Sequence, residues 1–121
     1  EISVPMVLPA IESGRVKIRK RRRRRRAFHA KDINGRRGRR SILTWSLTPG
    51  PRKLIDHFIV YANDQGSEYT VGAVHNIPKR GVYSFIDRSH TDHVGPITYY
   101  VAPVYLDYTK GEKFLIGVAE Y

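Results

Sequence analysis

Residues 90–93 read His-Thr-Asp-His. Two imidazoles three positions apart, with a carboxylate between them, are a donor set that a zinc-like cation accepts. The same four residues also suit a wet polar loop, since Asp and Thr bond readily to nearby backbone. The loop is the simpler account, and no metal is assigned. His57 and His75 stand alone and read as ordinary strand or loop residues. No hydroxyl nucleophile has an obvious base beside it in the sequence. The chain has no cysteine, so thiolate chemistry and disulfide staples are both excluded. No glycine loop of the phosphate-cradling kind is present. The expected function is therefore non-catalytic, with no cofactor.

The residues that remain are cations. Residues 15–40 hold 15 Lys and Arg against one acid, Asp32, for a local charge of +14. The other residues hold 7 Lys and Arg against 10 acids, for −3, which returns the net +11 of the chain. This is a mildly acidic polypeptide carrying one concentrated cationic device. Guanidinium groups bind sulfate and phosphate through paired hydrogen bonds, and a row of them releases counterions from a linear polyanion. The candidate polyanion-binding residues are Arg19, Lys20, Arg21, Arg22, Arg23, Arg24, Arg25, Arg26, Arg36, Arg37, Arg39 and Arg40. Phe28 is the one aromatic among them, so base stacking has little support. That favours a sulfated glycan of the heparan sulfate kind over nucleic acid. Two other uses fit the same composition: an address read by a nuclear import receptor or a basic protease site, and a solvated linker.

Something must position these groups, and the apolar pattern says what. Hydrophobic residues make up 40% of the chain, enough for one small core after Ser41. No apolar run reaches the 18 residues of a membrane span. Residues 42–47, Ile-Leu-Thr-Trp-Ser-Leu, alternate as a strand. They send Leu43, Trp45 and Leu47 one way. The only Trp is the natural core anchor. Further strands are expected at 54–62, 68–74, 82–86, 97–108 and 114–121. On the first of these, Phe58, Val60 and Ala62 share one face. Residues 15–19 alternate charge and apolar side chains and suit a strand with one wet face. Glu12-Ser13-Gly14 and Asn34-Gly35 read as turns, and residues 88–96 as a polar loop. Pro5 and Pro9 suit an irregular lead-in. Short strands between turn signals predict an all-β, antiparallel two-sheet sandwich of about seven strands.

The order of landmarks over residues 41–121 resembles a fibronectin type III domain. Leu43-Thr44-Trp45 followed by the turn at Pro49 and Pro51 matches the family's second strand. Ile55-Asp56-His57-Phe58-Ile59-Val60 matches its third, with Phe in place of Tyr. Thr98-Tyr99-Tyr100-Val101 matches the corner tyrosine of its sixth, and Asp107 to Gly111 the turn before the last strand. The resemblance implies a core built on Leu43, Trp45, Phe58, Val60, Tyr99 and Val101. It also implies that the Tyr99 hydroxyl bonds to nearby backbone. Ile86 is the nearest candidate for the family's leucine before the corner. Pro103 departs from the pattern, because a missing N–H within a central strand predicts a bulge. The basic segment is no part of the family pattern and reads as an insertion between its first two strands. No Arg-Gly-Asp sequence is present.

The expected organisation is a lead-in with the first strand at 1–14, an Arg-rich insertion at 15–40 and the main body at 41–121. The expected function is recognition by an extracellular or cell-surface module. Its basic segment would bind a sulfated glycan or other polyanion, and an exposed sheet face would serve a protein partner, as in cell adhesion. The alternatives are an intracellular module whose segment is a nuclear address or nucleic-acid contact, and an accessory domain of a larger enzyme. No membrane insertion is expected.

Overall fold

Alternation around Trp45 decides which side of its strand is core, and the computed structural model builds outward from that side. It describes residues 8–19, 38–77 and 80–121. The sequence readings at Pro5, Phe28, Asn34-Gly35, residues 20–26, Arg36 and Arg37 fall outside these residues. Seven strands follow in order: β1 (Ile11–Arg19), β2 (Arg40–Leu47), β3 (Ile55–Asp64), β4 (Ser67–His75), β5 (Tyr83–Asp87), β6 (Pro96–Tyr105) and β7 (Phe114–Glu120). They form one sheet of order β1-β2-β5 and a second of order β4-β3-β6-β7. Every pairing is antiparallel. The protein is an all-β, two-sheet sandwich, and its strand order is compatible with an immunoglobulin- or fibronectin type III-like fold. Among the described residues no helix is long and apolar enough to cross a membrane.

Leu43, Trp45, Phe58, Val60, Tyr99 and Val101 are all buried between the sheets. The Trp45 indole stacks on Tyr83 at 6.2 Å and 14° and meets Phe58 edge-on at 5.5 Å. These are the two arrangements that aromatic quadrupoles favour. The Tyr83 hydroxyl donates to the Asn76 amide oxygen at 2.5 Å, and the Asn76 amide nitrogen donates to the carbonyls of Arg52 and Ile55. One side chain thus satisfies a buried phenol and ties the loop before β3 to the end of β4.

Four details differ from the sequence reading. Glu12-Ser13-Gly14 is no turn. It lies within β1, with an irregularity between Ile11 and Ser13. A Cβ at Gly14 would lie 2.7 Å from Ile116 Cδ1 and 3.1 Å from its Cα on β7, so any other residue would force the two sheets to shift here. Pro103 makes no bulge. It sits in register opposite Phe58, and the nearby irregularities fall at Ile55/His57 and Tyr99/Tyr100. Its carbonyl accepts from Gly111 N–H at 2.8 Å, so its nitrogen faces the same way, past the Val101–Phe114 pair that ends the β6–β7 ladder. No ladder bond is lost. Ile86 points outward, and the inward position at the end of β5 belongs to Asp87. The Tyr99 hydroxyl donates to the Asp87 carboxylate, not to backbone.

Candidate functional site

Strand β1 begins the basic segment and gives it order. Gly14, Val16 and Ile18 face the second sheet, while Arg15, Lys17 and Arg19 project from the outward face and are exposed. Successive same-face residues of a strand stand about 7 Å apart. Register then lays out the neighbours. Arg15 pairs with Thr44, Lys17 with Ile42 and Arg19 with Arg40. Beyond β2, Thr44 pairs with Ser84 and Ile42 with Ile86. Ser13 and Ser46 close one end of the face through their hydroxyls, 2.7 Å apart. The result is an outward face with three cations along its β1 border, Arg40 beside the last of them on β2, a small aliphatic floor of Ile42 and Ile86 and, among the described residues, no aromatic side chain. Among the described residues none of Arg15, Lys17, Arg19 and Arg40 forms an ion pair; the pairs present are elsewhere. Sulfate or phosphate groups spaced along a polymer could each meet one cation of this row.

Arg39 does not belong to that row. It turns inward just before β2 and is 9% exposed. Its guanidinium donates to the His93 carbonyl at 2.9 Å and to the Thr91 carbonyl at 3.4 Å, and its Cζ lies 5.6 Å from the centre of the Tyr121 ring. The cations at 20–26, Arg36 and Arg37 lie outside the described residues. Of the cations singled out in sequence, the structure therefore brings Arg19 and Arg40 together and sets Arg39 apart. Arg15 and Lys17 join the row, and their every-other-residue spacing is the sequence signal for it.

A second polar cluster lies inside the same end of the sandwich. Asp87 is 3% exposed and His90 is 7% exposed. Asp87 Oδ2 accepts from Tyr99 at 2.6 Å and from His90 Nδ1 at 2.5 Å; Oδ1 accepts from the Ser89 amide at 2.9 Å and hydroxyl at 2.5 Å. Tyr99 spends its hydrogen on Asp87, so at 2.8 Å it must accept from Tyr121, which in turn accepts from Ser41. Protonated at Nδ1, His90 accepts at Nε2 from the Tyr69 hydroxyl. Two donor chains thus run one way and end on one carboxylate, an arrangement that strengthens each link. Burial pushes the Asp87 carboxyl up, but the bonds from Ser89, Tyr99 and His90 outweigh it and hold the carboxyl below its ordinary value. Burial, then the bond to Asp87, pushes the Tyr99 phenol far above its ordinary value.

The order Asp87, His90, Tyr69 is that of a base-activated hydroxyl. The Tyr69 phenol is nonetheless raised, by burial and then by the charges of Asp64 and Asp87, which moves it away from the nucleophilic phenolate. The loop of residues 88–96 is not simply wet, as the sequence suggested, since His90 is buried in it with both ring nitrogens occupied. Among the described residues no three His, Asp or Glu side chains group as metal ligands. His57 and His75 face each other across β3 and β4, and His57 lies 2.7 Å from Asp56. Asp87, Ser89, Tyr69, Tyr121 and Ser41 are the cluster members that sequence reasoning missed. No family model, curated protein or solved structure matches the chain.

Proposed function

We propose that this protein is a non-catalytic, fibronectin type III-like recognition module that binds a linear sulfated polyanion of the heparan sulfate kind. The observation that carries this reading is the Arg19–Arg40 pair. Two like charges directly opposite in a sheet are destabilising, and no acid within ion-pair distance relieves them among the described residues. A bound sulfate would supply the missing counter-charge. Arg15 and Lys17 extend the same border by two further positions, and the basic segment continues from it in sequence. The absence of an aromatic on the face among the described residues supports a glycan over single-stranded nucleic acid, which stacks its bases on such side chains. An extracellular or cell-surface setting follows from that choice of ligand.

The test is binding to heparin over a salt series, with nucleic acid as competitor. Each neutralised anion releases counterions, so affinity should fall linearly on a log–log plot against salt. Heparin should stay bound at physiological salt when excess single-stranded or duplex DNA is added. Displacement by DNA would transfer the site to the nuclear alternative, and absence of binding at low salt would end the polyanion reading.

A further inference from the structure

Arg39 lies between the basic segment and the ordered cationic row, yet it shows no charge to a ligand. Gly38 before it has φ +79°, a left-handed turn that glycine adopts without strain, and Arg40 after it opens β2 opposite Arg19. Between them, the Arg39 guanidinium reaches into the molecule. It bonds two carbonyls of the 88–95 loop, at Thr91 and His93, and lies over Tyr121. Both supports are themselves fixed. Tyr121 is held through its hydroxyl by Ser41 and Tyr99, and by backbone bonds of 3.0 Å in both directions with Gly95. The loop is held by His90 on Asp87.

We propose that Arg39 is a positioning residue: it pins the start of β2 to the 88–95 loop and to Tyr121, and so holds Arg40 beside Arg19 for an anion it does not itself touch. This rests on the polyanion reading of the outward face. The chemistry explains why the residue is arginine. Both hydrogen bonds leave one terminal nitrogen, Nη2, while Cζ lies 5.6 Å from the centre of the Tyr121 ring; the shorter lysine side chain carries a point charge and no planar group to set against that ring. Arg39 therefore serves the site through geometry and Arg40 through charge, although the two are neighbours of one residue type.

That division is measurable, because the salt slope counts neutralised anions while affinity also reports order. Heparin binding of the 121-residue chain is measured over a salt series for the parent, Arg39→Gln, Arg39→Lys and Arg40→Gln. Arg40→Gln should lower the slope by about one contact. Arg39→Gln and Arg39→Lys should both weaken binding, by about two- to tenfold for one long side chain set free, and both should keep the parent slope. Should Arg39→Gln fail to fold, Arg39→Lys and Tyr121→Leu carry the same comparison below their melting temperatures. A slope that falls in Arg39→Gln as it does in Arg40→Gln makes Arg39 a direct contact and overturns the proposal. So does an Arg39→Lys protein that binds like the parent, or an Arg39→Gln protein of unchanged affinity. A parent chain that fails to bind heparin at all instead defeats the polyanion reading, and the role of Arg39 falls with it.

Discussion

Arg19 and Arg40 are register partners across β1 and β2, so two arginines stand directly opposite one another on the outward side of their sheet. A structure selected for stability alone would place opposite charges there. Arg40→Glu should therefore stabilise the fold by about 0.2–1 kcal/mol, the ordinary worth of a cross-strand charge pair. The gain should shrink at high salt, where exposed charges are screened. Chemical denaturation at low and at 1 M salt measures both. The same variant should lose heparin affinity, because the pair it creates occupies Arg19. Lower stability at low salt would mean that the two arginines do not repel in this setting.

Trp45 is in contact with both Tyr83 and Phe58 and is almost fully buried. Trp45→Ala should cost about 3–5 kcal/mol through lost transfer energy and the cavity left behind. That is a large share of the stability of a domain this size. The equilibrium unfolding midpoint measures it, and a variant melting within a degree or two of the parent would place the indole outside the core.

The Asp87 cluster makes stability depend on pH from the acid side. The folded carboxyl is held below its ordinary value, so on acidification the unfolded chain takes up the proton first. Its contribution is complete above about pH 4, the unfolded value, and is lost as pH falls through the folded one. Asp87→Asn should flatten this acid limb and cost about 1.5–3 kcal/mol at neutral pH, the worth of hydrogen bonds to a charge. From the alkaline side, Tyr69, Tyr83, Tyr99, Tyr105 and Tyr121 are all raised by burial. Unfolded phenols ionise near pH 10, so stability should be full below that and fall above it. Urea titrations from pH 2 to 11 measure both limbs. An Asp87→Asn protein with the parent's acid limb would remove Asp87 as its source.

How far the sequence carries can be read at particular residues. Strand β2 is legible because Leu43, Trp45 and Leu47 alternate with polar neighbours, and the period of two is the pleat itself. Strand β1 is half-legible. Its Arg15-Val16-Lys17-Ile18-Arg19 alternation is plain, while Gly14 imitates a turn because its purpose, clearance for Ile116, is a contact 102 positions away. Asp87 is opaque for the same reason. An acid at the end of a strand reads as the start of a wet loop. Only the arrival of Tyr99 and His90, with Tyr121 behind Tyr99, makes it a buried acceptor. Arg39 and Arg40 show the limit most directly. They are adjacent and identical in type, and they differ only in which side of the sheet each one faces.

Order should also decide how much each cation contributes to binding. The backbone of Arg15, Lys17 and Arg19 is held in a row by a paired strand, so an anion has only their side chains to order. Backbone without such pairing must also be fixed at the moment of binding, at a cost of about 1–2 kcal/mol for each residue. Two variants that remove equal charge compare the strand with a run from the basic segment. One replaces Arg15, Lys17 and Arg19 with Ser; the other replaces Arg22, Arg23 and Arg24 with Ser. Counterion release is similar for both, so both should lower the salt slope by a similar amount. Affinity at physiological salt should fall further in the first. Replacing all seven cations at 20–26 with Gly and Ser should leave the melting temperature nearly unchanged, or raise it as like-charge repulsion is relieved. Equal affinity losses in the two triple variants would mean that the strand adds nothing beyond its charge, and the outward face would then be no more than the start of a cationic tail.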